Sequence, residues 1–278
     1  SALAAVLGSA PDPEPEGAGA QSQPWGYVLA EASEKGGVGK TTLSVNLAAA
    51  LGHQGRRVLV IALDPQGNAT QHFGIQGDAA QLTAVLRGLA GLEELDVVET
   101  DFGVDVLPGG RALAPARAAM LASASGIARV EQLTEPLRAL YDVIVLDTPP
   151  EAGILQQSAL VAADGVIAPM VLTRFALEGM ETLFSTMEDI RRHNAELEYL
   201  GCVVTVLDTR KVVQRNVMQH LSRHEEARLH PVRIRTDKSI EEAQVVGEPV
   251  VYFDVASKAS RDYLRLASAL GEGFDAAR

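Results

Sequence analysis

The segment Lys35-Gly36-Gly37-Val38-Gly39-Lys40-Thr41-Thr42 restricts what this chain can fold into more than any other. A β-rich run, Tyr27 to Ala32, precedes it, and a segment of helical character, Thr41 to Leu51, follows. A glycine-rich turn from strand to helix is what a phosphate-binding loop requires. The glycines let the backbone curl so that successive N–H groups face one concavity, and the helix N-terminus adds its partial positive charge there. Lys40 is then within reach of β- and γ-phosphates, and the Thr41 hydroxyl suits a Mg²⁺ ligand. A turn serving only as a connection has no need of Lys-Thr after its last glycine. Gly36, Gly37, Val38, Gly39, Lys40, Thr41 and Thr42 are therefore the candidate nucleotide-binding residues.

Two further segments carry acids to the same region. Leu63-Asp64-Pro65-Gln66-Gly67-Asn68 follows the strand expected at Arg57 to Leu63, and so falls at a carboxyl end, where open α/β sheets bind ligands. Asp64 there is the candidate for orienting an attacking water, because phosphoryl transfer depends on positioning and charge stabilisation. Tyr141-Asp142-Val143-Ile144-Val145-Leu146-Asp147-Thr148-Pro149-Pro150 reads as a buried strand ending in an acid and stopped by prolines. Burying Asp147 without a partner costs several kcal/mol, so a nearby cation is the economical explanation, directly or through water.

From Tyr27 onward, short β-rich runs alternate with segments of helical period, the pattern of βαβ units in a mostly parallel sheet with helices on both faces. Strands are expected at Tyr27 to Ala32, Arg57 to Leu63, Val104 to Leu107, Asp142 to Leu146, Gly165 to Met170 and Leu200 to Leu207. Helices are expected at Thr41 to Leu51, Ala79 to Arg87, Leu113 to Leu140 with a break, Leu155 to Ala162, Leu177 to His193, Val212 to His224, Ser239 to Val246 and Lys258 to Leu270. A continuously apolar strand such as Val143 to Leu146 suits a sheet covered on both faces. Residues 1–24 hold several Pro, Gly and Ala with three acids and no base, a composition that reads as a flexible tail, leaving 25–278 as one domain.

The remaining composition narrows the chemistry. A lone cysteine, Cys202, in an apolar run reads as a buried structural thiol and leaves no Cys-rich metal site. No apolar run of membrane-spanning length and no secretory leader is visible, which points to the cytoplasm. The net charge of −12 argues at first sight against a nucleic-acid partner. Between Thr205 and Ile240, however, eight Arg or Lys face four acids, a local basic patch on an acidic protein.

The ordinary pattern of Gly, four residues, Gly-Lys-Thr places its first glycine five positions before Gly39; this chain has no glycine there and has Lys35 at the next position. In this it resembles the deviant Walker A loop, KGGVGKTT, of the ParA/MinD family of P-loop ATPases. The Asp64 segment is similar to that family's DPQGN switch and the Asp147 segment to its Walker B. The likeness extends through Leu160 to Asp164, Ala176 to Gly179 and Gly247 to Val250, and so covers nearly all of residues 26 to 270. The residues read Asp164 and Gly179 as structural, a helix end and a packing position. The resemblance implies an ATPase needing ATP and Mg²⁺, with Lys35, Lys40 and Asp64 catalytic and Lys35 crossing a dimer interface to the partner's nucleotide. It implies metal contacts at Thr41 and Asp147 and switches at Asp64, Pro65, Gln66, Gly67 and at Asp147, Thr148, Pro149. It further implies an ATP-dependent homodimer that binds double-stranded DNA without sequence preference, a ParB-like stimulating partner, and a nucleoid-associated role in chromosome or plasmid partition. Asp208-Thr209-Arg210 matches the family segment that supplies a DNA-contacting arginine, with Lys211, Arg215 and Lys238 as additions. Ser33-Glu34 and Ile234-Arg235-Thr236-Asp237 depart from the family's Asn-Gln and Ile-Pro-Arg-Asn runs; the second lies where members contact adenine, and Lys238 stands beside Ser239, which occupies a DNA-contact position. The alternative is a MinD-like membrane-positioning ATPase, which carries a basic amphipathic C-terminal helix; residues Ala269 to Arg278 have acids and glycines instead. Metal-cluster ATPases on the same loop would call for more cysteines.

Overall fold

Strands apolar on both faces need cover on both faces, and that requirement organises the molecule. The computed structural model describes residues 25–33, 35–173 and 176–277. The expected tail, residues 1–24, and Glu34 lie outside them. The strands are β1 (Tyr27–Glu31), β2 (Val58–Ala62), β3 (Val98–Glu99), β4 (Val104–Leu107), β5 (Val143–Asp147), β6 (Gly165–Val171) and β7 (Glu198–Thr205). They form one sheet in the order β3-β4-β2-β5-β1-β6-β7, parallel except where β3 meets β4. The helices are α1 (Lys40–His53), α2 (Asn68–His72), α3 (Ala80–Leu86), α4 (Ala114–Ala122), α5 (Arg129–Thr134), α6 (Ile154–Ala162), α7 (Ala176–Ile190), α8 (Val212–Leu221), α9 (Lys238–Val246), α10 (Val250–Phe253) and α11 (Lys258–Ala276).

Alternate residues of each central strand feed two cores. Val28 and Ala30 join Ile144 and Leu146 on the face covered by α3 to α7, whereas Leu29, Val143 and Val145 face α1, α10 and α11. Leu43, Leu47 and Leu51 of α1 are fully buried there, with Tyr263 and Leu266 of α11 close behind. Phe274 of α11 stacks on Tyr27 at a ring separation of 4.4 Å, so the final helix is core rather than appendage.

The expected elements are present, with boundary shifts that have local causes. The break within Leu113 to Leu140 falls around Gly126, where a Cβ would collide with the Met120 carbonyl. β7 stops at Thr205 instead of Leu207 because Val206 takes a left-handed conformation (φ 53°), which a β-branched residue rarely adopts. Three short elements had no legible period: β3, α2 and α10.

Asp164, expected at a helix end, is a structural joint. Its carboxylate accepts the Val28 N–H at 2.7 Å and an Arg138 guanidinium N–H at 2.9 Å, while Arg138 also donates to the Gly26 and Ala162 carbonyls. The Arg138 side chain is only 8% exposed, so this anchor of β1 cannot be exchanged for water. Asp164→Ala leaves that buried guanidinium with only the longer, exposed pairing to Glu135 at 3.6 Å and is expected to cost about 2–4 kcal/mol in urea unfolding, reduced from the fully buried case because Asp164 itself is partly exposed.

Candidate nucleotide-binding site

The chain turns from β1 into α1 through a loop that only glycine permits at two positions: Gly37 has φ 73° and Gly39 φ 87°. No side chain caps α1 at Gly39, and no acid lies in its first turn. Among the described residues the first amides of this fourteen-residue helix have no side-chain cap, and they point to where an anion would sit. A Cβ at Gly36 or Gly37 would meet nothing within 4 Å, so the concave side is open. The loop is braced from behind by Thr205 at the end of β7, whose hydroxyl donates to the Val38 carbonyl at 2.8 Å. Sequence reading missed Thr205; its only signal is a polar residue ending an apolar strand.

Lys40 is 7% exposed and folds back on the loop, donating to the Ser33 carbonyl at 2.8 Å and the Lys35 carbonyl at 3.4 Å. Burial lowers its pKa, opposed by Asp147, Glu31 and Asp64. A phosphate chain in the loop would exchange two neutral acceptors for charged ones, a stronger interaction. Asp147 at the end of β5 is fully buried and accepts from Ser44 (3.1 Å) and Thr41 (3.4 Å). Thr41 and Asp147, expected to serve one cation, are thus in contact.

Asp64, two residues past β2, is 5% exposed and accepts the Gln66 N–H at 2.9 Å. Gly67 (φ 68°) then starts α2 under the Gly109–Gly110 backbone, which lies 3.2 Å from where a Cβ would be. Thr70 of α2 exchanges hydrogen bonds with the Gly109 backbone at 2.9 and 3.1 Å, fixing the segment below. Asp64, Pro65 and Gln66 share a cleft of about 130 Å³ with Pro149 and Pro150, so the two expected switches face each other. Thr148 is buried and donates to the Glu31 carbonyl, tying the second switch to β1.

Lys35 is half-buried at the loop's rim, and its methylenes lie over α7: a Cβ on Gly179 would come within 3.2 Å of the Lys35 Cε. Gly179 is indeed a packing position, and what packs on it is Lys35. The groove they share, with Met170, Thr173 and Met180, has a volume of about 230 Å³. On the other side of the loop a pocket of about 210 Å³ is walled by Gly37, Gly39, Thr42, Val206, the segment Ile234 to Asp237 and Gln244. The departures from Ile-Pro-Arg-Asn build this wall. Arg235 is held by Asp262 at 2.6 and 2.7 Å, and Asp237 caps α9 by accepting the Ser239 N–H at 3.2 Å. Gln244 donates to the Thr42 hydroxyl at 2.9 Å, linking this wall to the first turn of α1. Ser239 is buried, whereas Lys238 beside it is exposed.

Arg210, Lys211 and Arg215 sit on the exposed loop and first turn of α8 after β7. Arg210 is paired with Asp208 at 2.9 Å and Lys238 with Glu242 at 3.1 Å. Both are surface pairs, worth little energetically and open to exchange. The Leu207–Arg235 bridge brings the chain after β7 beside the strand-like segment that leads into Lys238. Cys202 is buried as expected and its thiol is pushed up to about 12 by burial, which removes it as a nucleophile.

The residue that reading by motif overlooked is Glu31, the last of β1: it is fully buried, and neither carboxyl oxygen has a well-formed hydrogen bond, Ser44 being the donor close enough to act on it. Burial first, then Asp147, holds its pKa well above the usual carboxylate range. Burial first, with Asp64 adding to it, likewise raises Asp147 to about 7, although Ser44 and Thr41 donate to it. The sign of the linkage follows. Folded Asp147 binds its proton more tightly than unfolded, so the penalty is absent below pH ~4 and grows as pH rises toward 7. Asp147→Asn is therefore expected to raise the melting temperature of nucleotide-free protein in EDTA at pH 8, by at most about 4 kcal/mol in stability, with the gap closing by pH ~4–5. Calorimetry across that pH range checks it.

A family model described as an AAA domain matches residues 26–199. The sporulation initiation inhibitor protein Soj of Bacillus subtilis is 34% identical over 249 residues, covering 87% of this chain and 97% of Soj. The chromosome partitioning protein ParA of Caulobacter vibrioides is 35% identical over 245 residues, covering 86% and 92%. Among solved structures, cobyrinic acid a,c-diamide synthase from Mycobacterium smegmatis with bound ADP and magnesium superposes with a TM-score of 0.79 at 31% identity, covering 91% of this chain and 97% of that one. MinD of Pyrococcus horikoshii complexed with Mg-ADP gives 0.72 at 24% identity, over 88% and 95% of the two chains, a likeness of fold. With two lysines flanking one glycine loop and acids ending the strands beside it, this chain belongs to the ParA/Soj family of P-loop ATPases.

Proposed function

We propose that the protein is an ATP-dependent DNA-partitioning ATPase, one domain from about residue 25 onward, in which MgATP joins two copies and the pair binds duplex DNA without reading its sequence. The observation that carries this is the pair of lysines on one uncapped helix N-terminus: Lys40 buried beneath the loop and Lys35 at its rim. Relatives named for chromosome partitioning, matched over most of their length, support the same reading.

In this reading the phosphates lie on the amides of Gly36 to Thr42, and Lys40 leaves its carbonyl acceptors to meet the β- and γ-phosphates. Thr41, with Asp147 directly or through water, holds Mg²⁺; the cation, when bound, neutralises charge building on the phosphates. Asp64 orients the attacking water, held for that task by its bond from Gln66. Its neighbours Pro65, Gln66 and Gly67 report the state of the γ-phosphate across the cleft to Thr148 and Pro149. Lys35 lies against its own Gly179 in the single copy, and must swing off it to reach a partner's nucleotide. Arg210, Lys211, Arg215 and Lys238 supply the DNA surface, a ParB-like protein stimulates slow hydrolysis, and the working location is the nucleoid.

A membrane-positioning role is disfavoured by α11. Its apolar face, with Tyr263, Leu266, Leu270 and Phe274, is spent in the core, and no helix among the described residues is long and apolar enough to cross a membrane.

Two measurements test the proposal. Lys35→Ala is expected to abolish the ATP-dependent dimer in sedimentation while nucleotide binding persists; a dimer of unchanged affinity removes the cross-interface role. Duplex-DNA binding is expected with ATP and not with ADP. Replacing Arg210 and Arg215 by Ala should lower the slope of log affinity against log salt by about 2 per protomer. Hydrolysis without DNA binding in any nucleotide state would move the task to membrane or protein positioning.

A further inference from the structure

Glu31 has no role in the mechanism above, yet its position is costly. A carboxylate out of contact with water and without a well-formed hydrogen bond is strongly disfavoured unless it takes up a proton or a cation compensates it. β1 and β5 run parallel with Ala30 opposite Leu146, so Glu31 and Asp147 stand one step further on, across from each other. Because Leu29, Val143 and Val145 face α1, both carboxyl side chains share that face. Ser44 of α1 lies there too, donating to Asp147, and Thr41 sits one turn nearer the loop.

The nearest ammonium does not satisfy this pair. Lys40 donates to the carbonyls of Ser33 and Lys35 instead, leaving the Glu31 oxygens with no well-formed hydrogen bond and only Ser44 as a nearby donor. Asp64, buried nearby, adds negative charge to the same field, felt by Lys40 together with Asp147 and Glu31. No cluster of three or more His, Cys, Asp or Glu groups close enough to ligate a metal occurs among the described residues, so an all-protein cage is not in question. Two carboxylates, two hydroxyls and retained waters are the donor set that Mg²⁺ or Mn²⁺ takes: hard oxygen ligands, with one or two carboxylates.

We infer that Glu31 and Asp147, with the hydroxyls of Ser44 and Thr41, form a divalent-cation site that loads before nucleotide binds. Glu31 is the residue that gives the site its affinity in the nucleotide-free state. The inference rests on the reading of the loop as an MgATP site and extends it, since it makes the cation a ligand of the protein first and of the phosphates second. Its consequence is an ordered site: the cation waits beneath the loop and offsets the acidic strand ends before phosphates bring further negative charge.

The test uses the full chain and Mn²⁺ alone, with free Mn²⁺ followed by its electron paramagnetic resonance signal, and MnATP binding measured on the same samples. Wild type is expected to remove one Mn²⁺ per chain from solution without nucleotide. Glu31→Gln, which keeps the shape and removes the charge, is expected to weaken that binding at least tenfold. Glu31→Leu removes the orphaned carboxyl: it is expected to melt higher than wild type in EDTA and to lose the rise in melting temperature that Mn²⁺ gives wild type. If wild type binds MnATP but takes up no Mn²⁺ alone, or if Glu31→Gln holds Mn²⁺ within twofold of wild type, the inference fails and the ATPase reading stands. Failure to bind MnATP at all would instead overturn both.

Discussion

Three acids buried at the carboxyl edge of one parallel sheet, with a single ammonium among them, set the terms for everything around the loop. Glu31, Asp64 and Asp147 end or follow adjacent strands, and Lys40 is the cation beneath them. Like charges this deeply placed oppose folding unless protonated or offset, and burial accordingly displaces Asp147 and Glu31 upward. The apolar mass on both faces of the sheet must therefore carry stability that the active edge gives away, a common arrangement at sites that bind charge.

Around that edge the fold divides its surfaces by neighbour. The loop's left-handed glycines aim the amides of α1 at one point, while Thr205, Thr42 and Gln244 tie loop and helix to β7 and α9. On one side Lys35 lies on Gly179, where any larger residue would push it away; on the other, Arg235 and Asp237 are committed to Asp262 and to the α9 cap. The rim residue proposed to act across an interface thus starts in a groove of its own chain, and the wall of the opposite pocket is held by ion pair and cap. On the proposed reading, such a site changes state by moving one side chain and the two short segments proposed as switches over a fixed sheet.

Much of this is legible in the sequence. The βαβ rhythm, six of the seven strands and the principal helices follow from apolar runs bounded by turn residues, because the sheet is covered on both faces and its strands must be apolar throughout. The loop was legible because its geometry can be reached only with glycine, and its chemistry only with Lys and Thr at the helix start. Short elements escaped: Val98–Glu99 and Val250–Phe253 are too brief for a period, and the end of β7 was misplaced because nothing in a valine announces a left-handed turn.

The sequence by itself determined the fold class, the phosphate loop and the acids brought to it, since local conformation and strand order follow from composition and spacing near in the chain. Only the tertiary structure decided which distant groups meet. Glu31 gains its significance only where parallel pairing sets it beside Asp147, and the packing position Gly179 gains its partner, Lys35, only in the folded chain. Asp164 becomes the counter-charge of Arg138 only where the turn that precedes β5 packs beside the start of β6. Burial, and therefore the energy of a charge, is a property of what packs around a residue, and one-dimensional spacing does not contain it.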